Sequence, residues 1–151
     1  MSPLSKAKLA REHFTRASAA FEAEDPVVGV TFLHLAAEAA IVALAEMNGV
    51  ATDRQHWRKG QAAIELHARD ILSVDLSPVL ELLNQARKDA GYEGEEPSFG
   101  DWTPPELLST VEEAVRAAED AMQSVEDGSD LADHATQNGE DVANAEEDRV
   151  P

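Results

Sequence analysis

Arg87 and Tyr92 are the two residues whose types and spacing first suggest chemistry. They stand five apart in LLNQARKDAGYEG, Leu82 to Gly94, at what reads as the end of a helix and the start of a loop. A guanidinium presents donors in a planar fork suited to phosphate, and a phenol can both donate and accept. At a helix terminus both can point into one groove. The structural alternative is an Arg87 bonded to a carboxylate such as Glu38, with Tyr92 packed as a loop anchor.

Other candidates are fewer. His13, His34, His56, His67 and His134 are scattered, and no two of them stand three or four residues apart, so a metal site is not expected. There is no phosphate-binding glycine loop and no nucleophile elbow. There is also no cysteine, which excludes disulfides and thiolate chemistry and fits a reducing cytoplasm. Thr31, His34 and Glu38 interrupt an otherwise apolar run at steps of three and four, forming one narrow polar strip on a helix. That strip is either a solvent-facing, self-satisfied edge or a polar element of a cleft or dimer seam. Basic residues cluster at Arg54, Arg58 and Lys59, and again at Arg87 with Lys88. Trp57 and Trp102 read most simply as core and loop anchors, although an aromatic beside Arg54 and Arg58 can stack a base.

The net charge is −18 over 151 residues, and from Glu126 onward nine acidic residues face a single arginine, Arg149. That leaves −10 on residues 1 to 125, so contact with a phosphate has to come from a local basic patch.

The elements that must position these residues are all helices. Leu9, Phe14, Ala17 and Phe21 predict a first helix from about Ser5 to Ala23. Asp25 before Pro26 marks the start of a second, running to about Asn48 with Gly49 as a left-handed cap. This second helix is apolar on most of its circumference and is expected to be the core of the bundle. The stretch Val27 to Leu44 contains His34 and Glu38, which argues against a membrane span, and residues 1 to 10 lack the apolar core of a secretory signal. A third helix is expected between Thr52 and Leu72, with Trp57, Ala63, Ile64 and Ile71 inside. Ser77 and Pro78 open a fourth, whose stripe Val79, Leu80, Leu82, Leu83 and Ala86 ends at Gly91. Residues 91 to 102 read as a loop. Thr103 with Glu106 reads as a capping box opening a last helix that fades near Val125. The chain is thus an all-α bundle of four to five helices, up-and-down, over residues 1–125. Residues 126–151 are too acidic and polar to bury a core and are expected to be a disordered tail.

This order of segments resembles the HEPN family of helical-bundle domains. KLAREHFTRASAAF is followed by TFLHLAAEAAIVALAEMNGV, then His56, then LLNQARKDAGYEG and EEAVRAAEDAM. The resemblance covers residues 4 to about 124. It implies a four- or five-helix homodimer of the kind common in prokaryotic toxin–antitoxin and defence systems, without cofactor or metal. Many such proteins are metal-independent ribonucleases whose arginine and histidine, four to six residues apart, meet a scissile phosphate at the dimer cleft. Arg87 matches the motif arginine. Tyr92 stands where the histidine would, and a phenol with an ordinary pKa of ~10 is a poorer general base than an imidazole near ~6.5. His34 can replace that base if the second helix faces the same cleft, while His56 fits a capping or packing role.

The expectation is a non-catalytic binding protein whose cleft, lined by Arg87, Tyr92, His34 and Glu38 with Arg54 and Arg58 nearby, holds RNA, a nucleotide or a partner protein. A nucleotidyltransferase-like protein is one such partner. The first alternative is a metal-independent endoribonuclease with Arg87 and Tyr92 in the site. The second is a scaffold whose acidic tail binds a basic partner.

Overall fold

The computed structural model describes the backbone of residues 2–52, 56–92 and 96–140, with side chains at all of these except 56, 57, 92 and 126–140. Five helices follow one another, α1 (Pro3–Glu22), α2 (Pro26–Met47), α3 (His56–Ala68), α4 (Ser77–Tyr92) and α5 (Pro104–Glu140), and no strand occurs among the described residues. The chain divides into two compact units, Met1–Glu119 and Asp120–Pro151. The first holds α1 to α4 and the start of α5. In the second, the described residues are the rest of α5.

Local chemistry sets most helix ends. Ser2 caps α1 by accepting from Ser5 N–H at 3.1 Å, with Pro3 at the first helical position. Between α1 and α2 only Ala23, Glu24 and Asp25 intervene, and Asp25 serves both helices. Its N–H closes α1 on Ala20 O at 2.8 Å, and its Oδ1 accepts from Val28 N–H at 3.3 Å to start α2. Gly49, with φ +68°, ends α2 as expected, and Val50 N–H reaches back to Ala45 O at 2.9 Å. The Thr103–Glu106 capping box is reciprocal: Thr103 N–H donates to Glu106 Oε1 at 2.9 Å, and Glu106 N–H to Thr103 Oγ1 at 3.3 Å.

α1 and α2 form an antiparallel hairpin, as shown by contacts that run in opposite chain directions: Phe21 on Gly29, His13 on Phe32, Lys6 paired with Glu46. The closest is at Gly29, where a Cβ would lie 2.8 Å from Phe21 Cε2, so only glycine admits the ring. α2 also packs on α3 and α4, and it supplies Val30, Leu33, Ala36, Ala37, Ala40, Ile41 and Leu44 to the core. Each large aliphatic among them contributes roughly 1.5–3 kcal/mol. α2 is long and apolar enough to cross a membrane, yet more than half of that stretch is buried inside the bundle. α5 lays Leu107, Val111, Ala114, Val115 and Ala118 inward at helical spacing, and Arg11 of α1 grips Glu119 through Nε and Nη2, both at 2.8 Å.

Four expectations are corrected. Leu9 is only half-buried, and Ala7 and Ala10 take the inner side of α1. In α3 the inner residues are Ala62, Ala63 and Leu66, while Ile64 is 45% exposed and Ile71 lies beyond the helix end. α4 starts with Ser77 already helical, its N–H held by Asp75 Oδ1 at 2.9 Å, and it runs through Gly91 to Tyr92. α5 does not end near Val125 but continues to Glu140, through a stretch that includes Gly128 and Gly139 and has no apolar period of its own. Residues 141–151, the rest of the expected tail, lie outside the described residues.

Candidate functional site

The polar strip of α2 faces a cleft, and the cleft is where α3 and α4 bring their cations. α2 contributes Thr31, His34, Leu35 and Glu38, α3 contributes Lys59, and α4 contributes Asn84 and Arg87, around a depression of about 370 Å³. Thr31, Leu35 and Glu38 share one face because they stand four and three apart, and His34 lies one turn before Glu38.

At 4% exposure, His34 is the only buried polar or charged residue among those described. Its Nε2 lies 3.5 Å from Glu38 Oε2, and the other carboxylate oxygen, Oε1, lies 3.4 Å from Lys59 Nζ. Glu38 thus stands between an imidazole and an ammonium, longer than a hydrogen bond from each but close enough for strong electrostatic attraction.

Arg87 is differently placed. Its Nη2 donates to Asn84 Oδ1 at 2.8 Å, one helical turn back, and its Nε is buried with no hydrogen-bond partner. Among the described residues no carboxylate pairs with it, so the expected alternative of an Arg87–Glu38 bond is not what holds this side chain. A guanidinium beside a cavity and without a carboxylate partner can receive an anion, since charged donors bind oxyanions more strongly than neutral acceptors.

The remaining candidates fall elsewhere. Tyr92 closes α4, so it and Arg87 are set about 140° apart around a regular helix. Its side chain, and any pairing with Arg87, is outside the described residues. So is Arg54. Arg58 is exposed on α3 and does not line the cleft, whereas its neighbour Lys59 does. Lys59 appeared in the sequence only as part of a basic patch, and Asn84 was missed, although a polar residue one turn before Arg87 is the signal that finds it. Among the described residues no group of three His, Asp or Glu side chains is arranged to hold a metal ion.

Where α1 meets α2, the His13 ring packs against Phe32 with centroids 5.7 Å apart, and Arg16 lies over Phe32 at 5.6 Å. Burial, helped by the Arg16 charge and opposed by Glu12, pushes the His13 imidazole below its ordinary value. Comparison with family models, curated proteins and solved structures returns no match for this chain.

Proposed function

We propose that the chain is a HEPN-like, dimeric, cytoplasmic binding protein that holds a phosphate-bearing ligand, a nucleotide or an RNA segment, in the cleft of α2, α3 and α4 without cutting it. Its place is the non-catalytic side of a toxin–antitoxin or defence-type system, with a nucleotidyltransferase-like protein as a partner. The observation that carries the ligand is Arg87: a cavity-lining guanidinium with no carboxylate counter-ion among the described residues, its Nη2 held by Asn84. Lys59 adds a second cation that can turn from Glu38 toward an incoming anion.

Titration of the full chain with short oligoribonucleotides and mononucleotides tests this. Arg87→Ala is expected to weaken binding about tenfold or more, as for a charge-assisted hydrogen-bonded contact. Equal affinity in wild type and Arg87→Ala would refute the site.

One observation favours an enzyme as the second reading. His34 and Arg87 line the same cleft from different helices, so an imidazole is present even though Tyr92 occupies the motif position. In that reading His34 takes the 2′-hydroxyl proton, the 2′-oxygen attacks phosphorus, and the 5′-oxygen leaves and is protonated by water, with Arg87 holding the equatorial charge. RNA cleavage in the presence of a chelator, abolished in both His34→Ala and Arg87→Ala, would select it over binding alone.

A further inference from the structure

The cleft has an apolar neighbour. Between α1 and α2 runs a groove of about 450 Å³ whose walls include Leu9, His13, Leu35, Ala39 and Val42. Leu35, Glu38 and Lys59 line both depressions, so the two adjoin across one ridge of α2. Leu35 is 37% exposed on that ridge, although nothing in its chemistry favours contact with water. Together the two compartments set an apolar wall of Leu9, Leu35, Ala39 and Val42 between charged groups, Lys6 and Glu46 at the far end and Glu38, Lys59 and Arg87 toward the cleft.

We infer that the two depressions form one bipartite site for an amphiphilic anion, with a phosphate head on Arg87 and Lys59 and an apolar body lying over Leu35, Ala39 and Val42. This rests on the anion-binding reading of the cleft and adds what the rest of the ligand must be. Charge sets its direction. At the far end of the groove the Lys6 charge is already balanced by Glu46, whose carboxylate also repels an anion there. At the opposite end Arg87 lines the cleft without a carboxylate partner among the described residues. His13 lines the groove as well, its ring tilted by 32° against Phe32 at 5.7 Å.

A homologous series of alkyl phosphates, from ethyl to octyl and kept below micelle-forming concentrations, tests the inference on the full chain by calorimetry or amide-shift titration. Inorganic phosphate serves as the head alone. Each added methylene is expected to tighten binding about two- to fourfold until the groove is filled. Val42→Glu, or Ala39→Gln as a second variant, should flatten the series while leaving inorganic phosphate binding in place. Arg87→Ala should weaken every member. Far-ultraviolet circular dichroism and melting of each variant confirm the fold.

AMP compared with ribose 5-phosphate distinguishes the two natural sources of an apolar body. A Val42-sensitive gain for AMP identifies a nucleobase, whereas an alkyl series without that gain identifies an aliphatic chain, and either supports the bipartite site. If phosphate binds in an Arg87-dependent way but the series is flat and the groove variants are inert, the inference is overturned and the cleft reading stands. If neither the phosphates nor RNA bind, both fall together.

Discussion

Arg87 lines the cleft with Asn84 Oδ1 as a neutral acceptor and no carboxylate partner among the described residues, which is why the proposed anion contact is placed on it. Arg87→Lys keeps the charge and loses the fork, so it should recover only part of the affinity lost in Arg87→Ala. Full recovery by lysine would mean that charge alone matters. His13 makes a separate prediction. Its folded pKa lies below the unfolded one of about 6.5, so the unfolded chain binds the proton more readily. The contribution of neutral His13 is intact above about pH 6.5 and is lost as pH falls through the folded value. Thermal melts should therefore show a decline below about pH 6.5 that is shallower in His13→Gln. Identical slopes in the two proteins would remove His13 from the account. Much of this site was legible in the sequence, since Thr31, His34 and Glu38 are conspicuous in an apolar helix and Arg87 is conspicuous near a helix end. The separation of Lys59 from Arg58 was not, because consecutive residues on a helix point about 100° apart and only packing decides which one faces inward.

Helix ends divide by whether their chemistry is local. Asp25–Pro26, Gly49 and Thr103–Glu106 could be read directly, because the capping groups lie within a few residues of the donors and acceptors they satisfy. Glu24 and Asp70 could not. Both take a left-handed φ of 60° to close α1 and α3, a conformation that side chains with a Cβ rarely adopt. Each is exposed, and the N–H after it returns to the helix: Asp25 to Ala20 O at 2.8 Å and Ile71 to Leu66 O at 2.9 Å. Glu24→Gly and Asp70→Gly should each stabilise the chain by about 0.5–1 kcal/mol, once the greater freedom of glycine in the unfolded chain is subtracted from the strain relieved. Chemical denaturation measures this, and a loss of stability in both variants would contradict it. The inner face of α3 was misjudged for a related reason: alanines at 62 and 63 do not mark a side, so the short helix could be rotated until Leu66 fixed it.

For the whole molecule, the first unit encloses a core, yet part of α2 is left in water. Val27 and Val28 are each 40% exposed, one turn before Thr31 at the cleft edge. A second copy seated there would cover apolar surface and close over the cleft without filling it, which supports the dimer in the proposed function. Light scattering at micromolar concentration should give twice the 16.3 kDa chain mass, and Val28→Glu should return the monomer. A monomeric wild type would remove the two-fold cleft but leave the Arg87 prediction intact. That five helices would form was legible from periodicity, whereas which surfaces stay uncovered was not, because burial depends on contacts between distant parts of the chain.

The hairpin of α1 and α2 has a kinetic consequence. Its contacts join residues close in sequence across a three-residue turn, whereas Arg11 and Glu119 meet across 108 residues. Closing the short loop costs much less chain entropy, so the hairpin should be formed in the folding transition state and the α5 clamp should come later. Gly29→Ala, which drives a methyl into the Phe21 ring at a net cost of about 1–2 kcal/mol, should then slow folding. Arg11→Ala should instead leave the folding rate nearly unchanged and speed unfolding. In stopped-flow measurements the two substitutions would shift opposite arms of the chevron.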